Sequence, residues 1–186
     1  MTIRSRLSKR VDEAWAAFTG SYAGLTDESL LRPGVIKTWS VRDIIVHVTT
    51  WEEEALKHLP GILEGRRPPR YSVTYGGIDA FNALTSAKKK ELPLAEVFRQ
   101  QAAVHRRLVA LIERTPEKEL ASGTRFRNRL RLDTYGHYAV HTAAILRWRR
   151  RKPATPPAAP RAGRSGSRGG PGSAPPPLTR RPAAAP

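Results

Sequence analysis

The chain has 186 residues, no cysteine and a formal net charge of +17. That length suits one domain of ordinary size with an appendage, and the missing cysteines exclude disulfides and thiolate metal sites while being compatible with a reducing cytoplasm. No apolar run approaches the ~18 residues of a membrane span, and the basic start "MTIRSRLSKRVDEAW" lacks the apolar stretch of a secretory signal, so a soluble cytoplasmic protein is expected.

Leu7, Val11, Ala14, Trp15, Phe18 and Tyr22 recur at spacings of three and four, which predicts a first amphipathic helix. "GLTDESLLRPGVIKTW" follows as a Gly- and Pro-punctuated connection with room for a short helical turn. Ser40, with Asp43 three residues on, reads as an N-cap and first-turn acid. The second helix is expected to run from there to about Leu63, burying Ile44, Val48, Trp51, Ala55, Leu59 and Ile62. "PGILEGRRPPRYSVTYGG" reads as a loop and "IDAFNALTSAKKKEL" as a short helix. Pro93 suits the first turn of a third long helix, which carries Leu94, Val97, Phe98, Val104, Leu108, Leu111 and Ile112 to about Arg114. "TPEKELASGTRFRNRLRL" returns the chain to a last helix from about Asp133 to Arg150. The fold class expected is all-α, a four-helix bundle over residues 1–151.

From residue 152 to 186 the chain holds ten of its sixteen prolines and almost no large apolar residue. Such a segment buries too little surface to offset the entropy of ordering, so a disordered basic tail is expected. Six of the seventeen net positive charges fall there, leaving eleven on residues 1–151. A basic field favours anionic small molecules or loose nucleic-acid association. No zinc finger, aromatic RNA-binding signature or patterned recognition helix accompanies it, so nucleic acid is not expected as a partner.

Five histidines stand at 47, 58, 105, 137 and 141. His137 and His141 lie one turn apart on the stripe of the last helix that also carries Ala144, Ile145 and Trp148. Two imidazoles at that spacing can share one ion. His47, beside the buried stripe of the second helix, can supply a third nitrogen if the second and last helices are parallel neighbours. His58 is about 16 Å further along the axis from His47, too far to join. His105, next to Arg106 and Arg107, reads as a surface or boundary residue. On spacing alone, ordinary histidines and a metal site both remain open.

The blocks "WSVRDIIVHVTTWEEEAL" (39–56), "IDAFNA" (78–83) and "DTYGHYAVHTAAILRW" (133–148) together resemble the DinB/YfiT-like superfamily, closest to its ClbS/DfsB-like branch. Trp39, Ser40, Asp43 and His47 match its W-S-x-x-D-x-x-x-H element, and His137 and His141 its H-x-x-x-H helix. The resemblance implies an up-down-down-up four-helix bundle, taken to make the second and fourth helices parallel, and a divalent ion held by His47, His137 and His141. Relatives resemble metal-dependent thiol transferases or hydrolases, and the branch includes a protein that hydrolyses a reactive genotoxin.

Three neutral imidazoles leave an ion its full charge and an open position, as catalytic sites do. Zinc, nickel, manganese and iron all accept such ligands. Glu54, nearest in angle to His47 among three consecutive glutamates, and Tyr138, beside the first ligand of the pair, are the candidate catalytic groups. Tyr135 flanks the same ligand, and Asp43 reads as a first-turn acid or a brace for His47. Asp79 and Asn82 line a pocket mouth or brace the bundle, and Trp39, Trp51 and Trp148 read as core. The expected function is a metal-dependent hydrolase or transferase acting on a small, toxic or electrophilic molecule, with a thiol as the cosubstrate of a transferase. Its alternatives are a ligand-sequestering protective bundle and, more weakly, nucleic-acid association through the basic surface and tail. A homodimer is compatible with the bundle.

Overall fold

The Thr2 side chain accepts a hydrogen bond from Ser5 N at 3.1 Å and so starts α1 (Ile3–Tyr22), which buries Leu7, Val11, Phe18 and Tyr22 as its periodicity predicts. The computed structural model describes residues 1–151; the expected disordered tail, 152–186, lies outside the described residues. After the short α2 (Asp27–Leu31), a tight turn pairs Ile36 with Trp39. Ser40 then opens α3 (Val41–Leu63) with a capping box. Its hydroxyl accepts from Asp43 N at 3.2 Å, and Asp43 Oδ2 accepts from Ser40 N at 2.9 Å. Asp43 is therefore a helix-starting acid. Beyond α3 come α4 (Tyr71–Thr74), α5 (Ile78–Lys88), α6 (Leu94–Arg114), a 3₁₀ turn (Glu117–Leu120), α7 (Arg125–Asp133) and α8 (Tyr135–Arg150).

The long helices α1, α3, α6 and α8 make an all-α, up-down-down-up bundle. Arg149 of α8 donates to Ser21 O at the end of α1, and Arg10 lies over Tyr135 at the start of α8, so these two helices are parallel. Ser8 meets Glu113 and Tyr22 meets Gln101, so α6 runs against α1. Arg42 donates to Leu92 O just ahead of α6, and Glu52 meets His105 within it, so α3 runs with α6. It follows that α3 and α8 are antiparallel, not parallel as expected. The histidines meet nonetheless, because α8 starts level with the middle of α3 and climbs past His47.

The return segment is more than a connection. Four arginines among residues 125–131 disguise an apolar pair at i, i+4, Phe126 and Leu130, both fully buried beneath α3 and α8. Loop structure after α3 is likewise shorter than expected, since α3 carries Pro60 within its last turn and α4 interrupts the connection.

Under the long helices lies a buried polar cluster. Glu52, fully enclosed, accepts from Tyr138 Oη, and His105 Nδ1 stands 2.9 Å from the same carboxylate oxygen. The His105 ring stacks on Trp15 at 3.6 Å. His105 is thus interior rather than peripheral. Arg106 and Arg107 follow it at ~100° steps round the helix and face outward. Burial pushes the Glu52 carboxyl up and the Tyr138 phenol well up.

Because Phe126 anchors α7 by filling the space beneath α3 and α8, Phe126→Ala should cost about 3–5 kcal/mol of unfolding free energy. Urea denaturation measures it, and a loss as small as that of an exposed residue would show α7 to be a surface strap.

Candidate metal centre

His47 projects from the second turn of α3, and His137 and His141 from the first two turns of α8. His137 Nε2 is 3.0 Å from His47 Nε2 and 2.9 Å from His141 Nε2, and all three ligand atoms lie within 4.8 Å of one another. Nitrogens bound about 2.1 Å from one ion and subtending 90–109° at it are about 3.0–3.4 Å apart, so the two short separations sit at the close end of that range. Burial, reinforced by the neighbouring imidazoles, takes His47 down to about 2 and His137 to about 3; burial alone takes His141 to about 4. All three rings are therefore neutral near pH 7. A proton on one Nε2 can satisfy a single neighbour, whereas a cation can accept all three lone pairs. The buried Nδ1 atoms of His137 and His141 have no partner among the described residues. With Nε2 facing inward those nitrogens carry the protons, at a cost of about 1–3 kcal/mol each that ligation of an ion would offset. The three residues fit a divalent ion in number, protonation and spacing.

Two clefts open beside the histidines. One, of about 340 Å³, is bounded by His47, His137, Trp51, Tyr71, Asn82, Arg129 and Asp133, with exposed Ile78 and Leu132 among its lining. The other, of about 390 Å³, is bounded by His47, His141, Trp39, Asp79, Asn82 and Ser86, with Lys37 contributed by the 36–39 turn. Asn82 accepts from Trp51 Nε1 at 3.2 Å, so it both lines the clefts and ties α5 to α3. Asp79 is a lining residue. Trp51, buried as expected, and Trp39, partly buried against the core, also wall the site, with ring centroids 6.3 and 4.9 Å from that of His47. Trp148 lies partly buried beneath the Arg32 guanidinium.

Neither candidate catalytic group lines these clefts. Tyr138 turns into the core toward Glu52, one step of the helix away from its neighbour His137. Tyr135 accepts from Arg127 Nε at 2.8 Å on the bundle's other side. Glu54 stands one hydrogen bond behind the wall, accepting from Tyr71 Oη at 2.6 Å and from Lys57 at 3.1 Å, with His58 Nε2 also 3.1 Å away. Burial works to raise the Glu54 carboxyl, but the Tyr71 and Lys57 hydrogen bonds prevail and hold it below its ordinary value.

The carboxyl lining the first cleft is that of Asp133. Its Oδ2 accepts from Arg129 Nε, and Arg129 Nη2 donates in turn to Tyr71 Oη at 3.0 Å. Burial raises Asp133 to about 6 against the pull of Arg129. Helical spacing hides it. Thr134, with φ −131° and ψ −109°, breaks the chain between α7 and α8, so the four-residue step from Asp133 to His137 crosses a junction. Gly136 makes that junction possible, since a Cβ there would stand 2.7 Å from Arg131 O.

An imidazole whose folded pKa lies below its unfolded value of about 6.5 takes up a proton on unfolding, so its contribution is full above that pH and fades as pH falls toward the folded value. Asp133, raised from 3.8 to about 6, acts in the opposite sense and loses its contribution as pH rises through about 6. Replacing His141 by Asn removes one imidazole from this balance. In chelator, the fall in unfolding free energy from about pH 7.5 to about pH 5 should be smaller in His141→Asn than in wild type by about 2 kcal/mol. Equal falls would contradict the buried neutral ring.

A family model of the DinB superfamily matches residues 10–144. No curated protein matches the chain. Among solved structures, the colibactin self-resistance protein ClbS in complex with a dsDNA has a TM-score of 0.68 at 16% identity, covering 80% of this chain and 96% of that one. The fold is thus shared with ClbS, toward whose branch the sequence blocks point. With the matched span taking in α3, α6, α7 and the two histidines of α8, the chain belongs to the DinB superfamily.

Proposed function

We propose that this protein is a metal-dependent enzyme of the hydrolase or transferase class acting on a small molecule, with His47, His137 and His141 holding one divalent ion. The observation that carries the reading is the convergence of three neutral Nε2 atoms at the meeting of two clefts. A divalent ion there supplies Lewis acidity to whatever either cleft admits. Zinc, nickel, manganese and iron all suit three imidazoles.

Asp133 is the proton-transfer group of this reading. Oδ2 is engaged by Arg129, while Oδ1 accepts no hydrogen bond among the described residues. Its value near 6 lets it give or take a proton close to neutrality. Tyr71 and Glu54 hold Arg129, and through it Asp133, in place. Trp51, Tyr71, Ile78 and Leu132 offer apolar wall that displaces water from a bound molecule. An electrophilic substrate is what the family resemblance implies, and a proton-handling carboxyl beside a Lewis-acid position suits one. In the transferase form, the second cleft has room for a thiol cosubstrate.

Elemental analysis should find one ion per chain after incubation with zinc, nickel, manganese or iron, and none in His137→Ala. Asp133→Asn should keep the ion yet lose on the order of 10²-fold or more in turnover of an electrophilic substrate. Equal, near-zero metal in wild type and His137→Ala would refute the reading.

A second reading has its own support. Residues 1–151 carry eleven net positive charges, and ClbS, which shares the fold at 16% identity, was solved with a dsDNA. Association with duplex DNA through phosphate contacts runs against the sequence expectation that nucleic acid is no partner. It requires affinity to fall by about 10³-fold or more between about 50 and 200 mM salt if six or more phosphates are engaged. Salt-insensitive binding would dismiss it.

A further inference from the structure

We infer that a basic groove formed by the end of α3, the 64–70 loop and the start of α7 docks the phosphate backbone of a nucleic acid; this rests on the second reading above and is independent of the metal. Two adjoining hollows make the groove. Lys57, Arg66 and Arg67 line the first, and Arg70, Arg125 and Asn128 line the second. Pro68 and Pro69 are common to both, and the second shares Arg129 and Leu132 with the cleft at the histidine centre. A strand lying in the groove therefore passes beside the opening of that cleft.

The groove is built to present charge. Arg125 donates to the carbonyls of Gly65 and Arg66, tying the loop to α7. Those acceptors are neutral, so the guanidinium keeps its full charge. Gly61 leaves room for Arg66 to lie against α3, since a Cβ there would stand 3.0 Å from Arg66 Nε. The paired prolines restrict the backbone between Arg67 and Arg70, reducing the entropy lost when both cations are engaged. Glu64 pairs with Arg66 and Glu54 with Lys57. Arg67, Arg70 and Arg125 have no carboxylate partner among the described residues.

The shape favours a charged rod over a bilayer. A membrane surface engages several protruding apolar side chains among basic ones, whereas these cations line hollows in which Leu132 alone among the lining residues is an exposed large apolar side chain. A further basic cluster, at the end of α8, spends Arg149 on the carbonyls of Ser21 and Ala23 and lies on a helix end. Its exposed members Arg147 and Arg150 supply a matched control.

Fluorescence anisotropy of the full chain with a roughly 20-base-pair labelled duplex tests the assignment. Arg67→Glu with Arg70→Glu should weaken binding by about tenfold or more and lower the log–log salt slope by about two. Arg147→Glu with Arg150→Glu, an equal change of charge, should weaken it by less than about threefold. Unchanged far-ultraviolet circular dichroism confirms folding. Arg67→Gln with Arg70→Gln should give an intermediate loss and replaces the reversal variant if that fails to fold. Equal weakening in the groove and control variants would overturn the groove while leaving duplex binding intact. Absence of wild-type binding at low salt would overturn the second reading with it. Tighter binding to phosphatidylserine vesicles than to duplex, lost in the same groove variant, would overturn the assignment in favour of a membrane.

Discussion

Three imidazoles enclosed at one crossing of antiparallel helices are the constraint around which this bundle is arranged. Burying a polar ring without partners is costly, and here the rings face one another at 2.9 and 3.0 Å. Enclosure suppresses their protonation, which removes mutual charge repulsion and leaves three neutral rings with ligand atoms within 4.8 Å of one another. The same enclosure strands the outer nitrogens of His137 and His141. An arrangement with no charge and unpaired polar atoms gains little stability by itself, and that cost is what supports the proposed ligation.

The crossing is held from beneath by the Glu52–His105–Tyr138 cluster, which joins α3, α6 and α8 and stacks against α1 through Trp15. Glu52 Oε2 has no partner among the described residues. A raised carboxyl pKa is what such enclosure produces, because the charged form lacks enough donors. Tyr138, adjacent in sequence to His137, thereby fixes the rotation of α8 about its axis and with it the direction in which the two histidines point.

Beside the crossing, α7 ends and α8 begins at a junction with almost no slack. Thr134 accepts His137 N and Tyr138 N at its carbonyl, and its hydroxyl donates to Leu130 O. Gly136 permits the approach to Arg131. This sharp turn brings Asp133 and Arg129 to the cleft that His47 and His137 border. The candidate metal ligands of α8 and the cleft carboxyl thus come from neighbouring residues whose relation is set by a break in the helix.

Sequence periodicity by itself determined the long helices, their buried stripes, the Ser40 start of α3 and the pairing of His137 with His141, because each depends on spacing within one rigid rod; His47 joins that pair only on an assumed parallel packing and on the family resemblance. It could not determine that α3 and α8 run in opposite directions, since direction follows from how connections fold back. Nor could it show α7, whose two apolar anchors are hidden among arginines, or the interior place of His105, whose outward neighbours advertise a surface. Glu54 and Tyr138 were attractive by angle and adjacency, yet a helix directs adjacent residues to different partners, Glu54 to Tyr71 and Tyr138 to Glu52. Asp133 entered the site only through tertiary structure, because its position depends on a junction that no helical period describes.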